Sequence, residues 1–298
     1  MHIFVTGASG FVGSAVVREL LGAGHTVLGL AHSDEGALRV KALGADVHRG
    51  AIEDLASLER GARASDAVIH TAFNHHDYSV FAQSCENDAR AIEAIGGALA
   101  GTPHPFIVTS AVGVLQKGGV ADENTALSQH PRAATERAVN AVAARGVRVS
   151  IVRLPVSVHG DGDPNFVTAL IRIARQKRAS VYLEDGSNRW PAVHVLDAAR
   201  AFRLAVARPL PSGTRLHAVA EQGIAFLDLA TAIGRRLNVP VVSKPRSEGV
   251  DHFGGFLANF AGMDIAASSA HTRDALGWAP DHAGLIADLE QSHHYFAS

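Results

Sequence analysis

A single cysteine, Cys85, stands in 298 residues, which excludes an internal disulfide and any multi-cysteine metal site and suits a reducing cytoplasm. An excess of charge of one sign is missing as well. With 27 Lys and Arg against 29 Asp and Glu, the formal net charge is -2, so no broad basic field exists to hold nucleic acid or an anionic membrane. No apolar run approaches the roughly 18 to 20 residues that span a bilayer. The apolar start lacks a basic leader and is interrupted by Thr6, Gly7, Ser9 and Gly10, so it does not read as a secretory signal. Neither an internal repeat nor a low-complexity segment is present. The hydrophobic share, 47%, supplies a full core. These absences together predict a soluble, cytoplasmic protein whose partners are small molecules.

What is present is alternation. Short β-branched runs at residues 3–5, 26–30, 46–48, 67–70, 106–109 and 147–153 are separated by helical patterns at 12–21, 35–43, 55–60, 80–99 and 133–144. That is the pattern of an α/β fold with a doubly wound parallel sheet and crossover helices, a Rossmann core. After Pro155 the pattern becomes mixed, with candidate elements at 166–175, 181–183, 197–206, 216–219 and 226–237 broken by Pro209, Pro211, Gly213 and Gly223. We therefore expect a dinucleotide-binding unit over 1–155 and a smaller mixed α/β substrate lobe over 156–298, the second interleaved with the first or set beside it.

The first strand runs into Thr6-Gly7-Ala8-Ser9-Gly10-Phe11-Val12-Gly13 and then a helix. In such a turn one glycine lets the chain reverse, another lets backbone N–H groups approach a diphosphate, and the last lets helix and strand pack closely. The N–H groups and dipole of the helix start then favour the anion. Strand, turn and helix in this order point to NADP or NAD. A carboxylate at the tip of the second strand would hold a ribose 2′-hydroxyl. Here that place reads Leu30-Ala31-His32-Ser33, with Asp34 arriving only afterwards. A 2′-phosphate is thus not repelled, and His32, Ser33 and Arg39 are candidate donors, which favours NADP over NAD; His32 reads equally as a solvated loop residue.

The turn resembles that of the extended and atypical short-chain dehydrogenase/reductases, the group that includes NAD-dependent epimerases and dehydratases. Further landmarks follow in that group's order: Val68-Ile69-His70-Thr71-Ala72, Val108-Thr109-Ser110-Ala111, Arg153-Leu154-Pro155 followed by His159-Gly160, Ala192-Val193-His194-Val195-Leu196-Asp197, and Leu276-Gly277-Trp278-Ala279-Pro280. The resemblance implies a dinucleotide along Gly7, Gly10 and Gly13, its adenine end near Ile52, its ribose and nicotinamide near Ala72, and Pro155 beside the nicotinamide. It also implies hydride transfer at nicotinamide C4, with proton chemistry by a Ser or Thr, a Tyr, and a Lys four residues after the Tyr.

That catalytic set is not there. Arg132 falls on the tyrosine column and Glu136 on the lysine column. A guanidinium does not release a proton at neutral pH, so Arg132 is no general base, although it can hydrogen-bond a developing alkoxide. Glu136, at i+4, is spaced to pair with Arg132 in an exposed helix salt bridge. Ala111 occupies the serine column and Ser110 stands one residue early, on the opposite face of a regular strand.

Other cleft candidates are Tyr78 and the histidines His75, His76, His159 and His194, imidazole being the side chain that exchanges a proton near neutrality, with Asn188, Arg189 and Trp190 as substrate contacts. His194 with Asp197 reads better as a support of the fold. His75, His76 and Asp77 invite a metal, yet adjacent histidines diverge and no third ligand follows at a characteristic spacing, so no metal is expected. Three functions remain open: a carbonyl/alcohol oxidoreductase, a non-catalytic NADP(H)-binding regulator, and a nucleotide-sugar epimerase or dehydratase. The chain is expected as a monomer or as a homodimer through the helices at 80–99 and 133–144.

Overall fold

The run Ile3-Phe4-Val5 is fully buried, as a parallel strand covered on both faces requires. The computed structural model describes residues 1–75, 78–116, 118–291 and 293–296. Its first half runs β1 (His2–Thr6), α1 (Phe11–Gly22), β2 (Thr26–Ala31), α2 (Asp34–Ala42), β3 (Asp46–Arg49), α3 (Leu55–Arg63), β4 (Ala67–His70), α4 (Phe81–Leu99), β5 (Phe106–Ala111), β6 (Val120–Ala121), α5 (Ala133–Ala144) and β7 (Val149–Leu154). The second half continues with β8 (Ser157–His159), α6 (Phe166–Lys177), β9 (Ser180–Leu183), β10 (Arg189–His194), α7 (Val195–Ala207), β11 (Thr214–His217), β12 (Glu221–Ala225), α8 (Phe226–Leu237), β13 (Val241–Lys244), α9 (Gly249–Phe253), α10 (Gly255–Ala261), β14 (Ala266–Ala267), α11 (Ala270–Leu276) and α12 (Leu285–Gln291).

Seven strands form one parallel sheet in the order β11-β7-β5-β4-β1-β2-β3. Strand side chains alternate between its faces. Ile3 and Val5 pack with Val16, Val17 and Leu20 of α1 and Phe202 of α7, whereas Phe4 packs with Leu58 of α3, Ile92 and Ile95 of α4, and Val139 of α5. The chain winds outward from β1 to β3 and then crosses to β4 on the other side of β1. This switch point opens a crevice at the strands' carboxyl ends, the place where doubly wound sheets bind nucleotides.

The second half is interleaved with the first rather than hung from it. β11 pairs with β7 as an outer strand, and α7 packs on α1. Hydrophobic pattern alone places a strand over 216–219; the ladder to β7 instead takes Thr214–His217. The remaining elements enclose their own core, with Val167, Leu170, Trp190, Phe226, Leu229 and Phe253 at its centre. No helix among the described residues is long and apolar enough to cross a membrane.

His252 of α9 is tucked into this second core, and burial, reinforced by the charges of Lys177 and Lys244, holds its imidazole down to about 4. The unfolded chain takes up this proton near pH 6.5, the folded chain only near 4, so folding opposes protonation across that interval. The melting temperature is therefore expected to fall as pH drops from 6.5 to 4, and a His252→Gln variant to lose part of that slope. Parallel melting curves at stepped pH check it.

Candidate active site

The glycine-rich turn closes on itself and on β4. Gly7 adopts a φ of +68°, Gly10 N–H donates to Gly7 O at 2.9 Å, and Thr71 Oγ1 donates to Thr6 O at 2.7 Å. A Cβ on Gly7 would lie 2.7 Å from Ala72 N, and one on Gly13 would lie 2.0 Å from Gly7 O. Helix α1 starts here with Gly10 as N-cap, no side-chain cap and no acidic residue in its first turn. Its positive end is thus presented to the crevice, and the donors fit a dinucleotide diphosphate. Gly13→Ala is expected to abolish dinucleotide binding and to lower the melting temperature, because the clash is with backbone and cannot be relieved by a rotamer change; titration of the variant with both reduced dinucleotides checks this.

Around this turn, Ser9 and Phe11 are half-buried, Val12 is half-buried, Ile52 packs beside the Leu30 and Leu58 cluster, Ala72 is half-buried against Gly7, and Pro155 is buried at the end of β7. At the tip of β2, His32 is exposed and Ser33 caps α2, accepting from Gly36 N at 3.1 Å. Arg39 is taken by Glu35 at 2.7 Å. The cation that the sequence reading missed is Arg49. Its register beside Ala31 sets it next to the β2 tip, where it donates to Ser33 O at 2.7 Å and Asp34 Oδ1 at 2.6 Å.

Two buried polar networks lie at the carboxyl ends of β1, β4, β5 and β7. In the first, His70 bridges Thr6 Oγ1 at 2.8 Å and Asp88 Oδ1 at 3.1 Å, and Thr135 Oγ1 donates to Asp88 Oδ2 at 2.5 Å. Burial of Asp88 alone would raise its pKa; the hydrogen bonds from His70 and Thr135 and the charge of Arg132 outweigh it and hold the carboxyl below its ordinary value. Neither His70 nor Asp88 carried a local signal of this contact, since they stand 18 positions apart, one at the end of β4 and the other within α4.

The second network corrects the expected pairing of Arg132 with Glu136. Glu136 is fully buried, not on an exposed helix face, and it is held by a two-pronged pair from Arg153, Nε to Oε1 and Nη2 to Oε2, both at 2.8 Å. Ser110 Oγ donates to the same carboxylate at 2.9 Å. Arg153 also donates to Glu123 O at 3.1 Å and lies 3.1 Å from His217 Nε2. Ser110 is thereby committed to a structural anion, and Ala111 leaves the serine column without a hydroxyl.

Arg132, freed of Glu136, stands at the start of α5 with only 8% of its surface exposed. Its guanidinium carbon sits 3.4 Å from the centre of the Phe73 ring, one residue beyond Ala72. Phe73 in turn meets the edge of Phe81, which meets His130. Arg132 Nη1 is buried and has no hydrogen-bond partner among the described residues. Burial lowers the Arg132 pKa and Asp88 opposes that, but a guanidinium stays charged across the physiological range.

The candidate substrate contacts at 188–190 each have a partner within the chain. Asn188 Nδ2 donates to Ala261 O at 2.9 Å and Met263 O at 3.0 Å, Arg189 forks onto Asp264 at 2.9 and 2.8 Å, and Trp190, 1% exposed, gives its indole N–H to Phe260 O at 3.1 Å. All three hold the 260–264 segment. His159 is fully buried, with Nδ1 2.8 Å from Asp288. His194 caps α7 by accepting from Leu196 N at 3.3 Å. Asp197 receives the backbone N–H groups of Asp281 and His282, and its carbonyl receives the Trp278 indole, so two sequence landmarks meet as one joint. Asp197, Asp281 and His282 approach closely enough to hold a cation, but Arg200 already binds both carboxylates. His75 is exposed beside Phe73, their ring centres 4.7 Å apart. His76, Asp77 and the Tyr78 side chain lie outside the described residues.

Comparison with known proteins agrees with this architecture. The chain is 45% identical to an uncharacterized protein of Schizosaccharomyces pombe over 99% of its own length and 100% of that protein's. It is 31% identical to a 2-alkyl-3-oxoalkanoate reductase of Stenotrophomonas maltophilia, over 69% of this chain and 65% of the reductase. The fold superimposes on a UDP-glucuronic acid 4-epimerase from Bacillus cereus, crystallised with UDP-glucuronic acid and NAD, with a TM-score of 0.78 at 16% identity, covering 99% of this chain and 98% of that one. The profile of one family matches residues 3–215, the stretch that holds the glycine turn, six strands of the parallel sheet and the start of the seventh, β11. The chain belongs to the NAD dependent epimerase/dehydratase family.

Proposed function

We propose that this protein is an NAD(P)-dependent oxidoreductase acting on the ketone/alcohol pair of a small organic molecule in the cytoplasm. In it Arg132 takes the place of the family's phenol as hydrogen-bond donor to the reacting oxygen. The observation that carries the reading is the buried Nη1 of Arg132, unpartnered among the described residues, on a guanidinium stacked over Phe73, the residue after Ala72. A bound nicotinamide dinucleotide supplies or accepts the hydride at its C4. As hydride reaches the carbonyl carbon, the π electrons of C=O move to oxygen, and Arg132 stabilises the negative charge there. The resulting alkoxide takes its proton from water, because a guanidinium has none to give at neutral pH. The likeness to an oxoalkanoate reductase supports a ketone as the reacting group.

NADP is the preferred dinucleotide in this reading. Arg49 and the exposed His32 stand at the tip of β2, and the carboxylates that follow, Asp34 and Glu35, are paired with Arg49 and Arg39. The glycine turn and α1 would hold the diphosphate, with Ile52 toward the adenine end and Pro155 toward the nicotinamide.

Following the absorbance of NADPH and of NADH against a panel of ketones tests the proposal. Oxidation of the dinucleotide with at least one ketone, faster with NADPH, is the expected result. Tight dinucleotide binding with no oxidation across the panel would transfer the site to a non-catalytic regulator.

A further inference from the structure

We propose that Arg132 binds an anionic group of the substrate, so that the compound turned over is an oxo acid; the proposal rests on the ketone/alcohol reading of the site and names its substrate class. The argument starts from charge. A guanidinium buried to 8% exposure loses most of its hydration and needs an anion or a full set of acceptors in return. Arg132 has neither. Its Nη1 is without a partner among the described residues, and the carboxylate whose charge acts on it, Asp88, has Oδ1 engaged by His70 and Oδ2 by Thr135. Glu136, spaced to answer it from the next turn, is taken by Arg153 and Ser110.

Apart from Asp88, whose oxygens are already engaged, the groups around the guanidinium do not answer its charge. Arg132 is the N-cap residue of the 12-residue helix α5, where the dipole is positive, and Phe73 covers one face of the guanidinium plane. The stacked face leaves the in-plane N–H groups as the donating edge, and a planar fork of this kind matches two oxygens side by side. A simple ketone offers one neutral oxygen and leaves the charge uncompensated until the transition state. An oxo acid offers a carboxylate oxygen beside the ketone oxygen, and so pairs the cation on binding and holds the carbonyl in place for reduction. A dinucleotide would not fill this role, since its diphosphate would be held by the glycine turn and its nicotinamide ribose is uncharged.

Two isosteric pairs test the proposal: acetoacetate against acetoacetamide, and 2-oxobutanoate against 2-oxobutanamide. Binding is measured by calorimetry on the full chain saturated with oxidised dinucleotide, so that no turnover occurs. At least one acid is expected to bind tenfold or more tightly than its amide. Arg132→Gln should erase the difference and Arg132→Lys keep part of it, while both retain wild-type dinucleotide affinity. Equal binding of acid and amide by the wild-type protein, or no binding of either acid, overturns the proposal without recourse to any variant. So does an Arg132→Gln protein that still prefers the acid, or one whose dinucleotide affinity falls as far as its acid affinity. A separate assay with reduced dinucleotide keeps the two readings apart: selective acid binding without oxidation upholds the anion site and sinks the reductase, whereas turnover of neutral ketones with no acid preference does the reverse.

Discussion

Placing lysine at position 136, the residue type the family carries in that column, is expected to unfold the protein rather than restore a catalytic pair. Glu136 and Arg153 are both fully buried, and Arg215 Nε lies 3.5 Å from the same carboxylate. Glu136→Lys would remove the anion that compensates Arg153, strand the Ser110 hydroxyl and add a second buried cation. Breaking a buried pair by removing one partner costs about 3–5 kcal/mol, against a total stability of about 5–15 kcal/mol for a typical domain, and like-charge repulsion adds to it. Glu136→Gln, which keeps the shape, should be destabilised less, and a Glu136→Met, Arg153→Met double variant should recover much of what either single change loses. Urea unfolding of the four proteins measures this. A Glu136→Lys protein as stable as the wild type would show that the carboxylate is not the structural anion described here.

This pair also shows where the sequence was legible and where it was not. The glycine turn is local: strand, reversal and helix start follow within a dozen residues, so periodicity and turn chemistry suffice to place Gly7, Gly10 and Gly13. The parallel sheet is legible for the same reason, since buried strands such as Ile3-Phe4-Val5 are apolar without alternation. The partners of Glu136 were not, because i+4 spacing points to Arg132 while the true partner, Arg153, arrives from a strand 17 residues away. Nor could spacing show that Asn188, Arg189 and Trp190 all reach a segment 70 to 75 residues downstream. Polar residues beside an expected cleft look alike in sequence whether they serve a substrate or staple the chain.

Removing the guanidinium at position 132 is the second change with a large expected effect. If Arg132 stabilises charge on the reacting oxygen, Arg132→Ala should lower kcat/KM by about 10²–10³, the range found when a single donor to a developing oxyanion is lost. Arg132→Lys should recover part of the loss, because the charge survives without the planar fork. Arg132→Tyr, which returns the family's phenol, should not restore activity, since no ammonium stands at position 136 to lower its pKa. The wild-type rate should also stay level from about pH 7 to 9, where a guanidinium does not titrate. Asp88, held below its usual pKa, is ionised across that range. A rate that falls through this range with a single ionisation would point to another group as the proton donor.

The most direct measurement is a crystal structure with oxidised dinucleotide and an unreacted oxo acid bound. It is expected to show the diphosphate on the N–H groups that open α1, and Arg132 Nη1 within about 3 Å of a substrate oxygen whose carbon faces nicotinamide C4. A dinucleotide bound in that way with Arg132 still stacked on Phe73 and making no contact to the substrate would contradict the account.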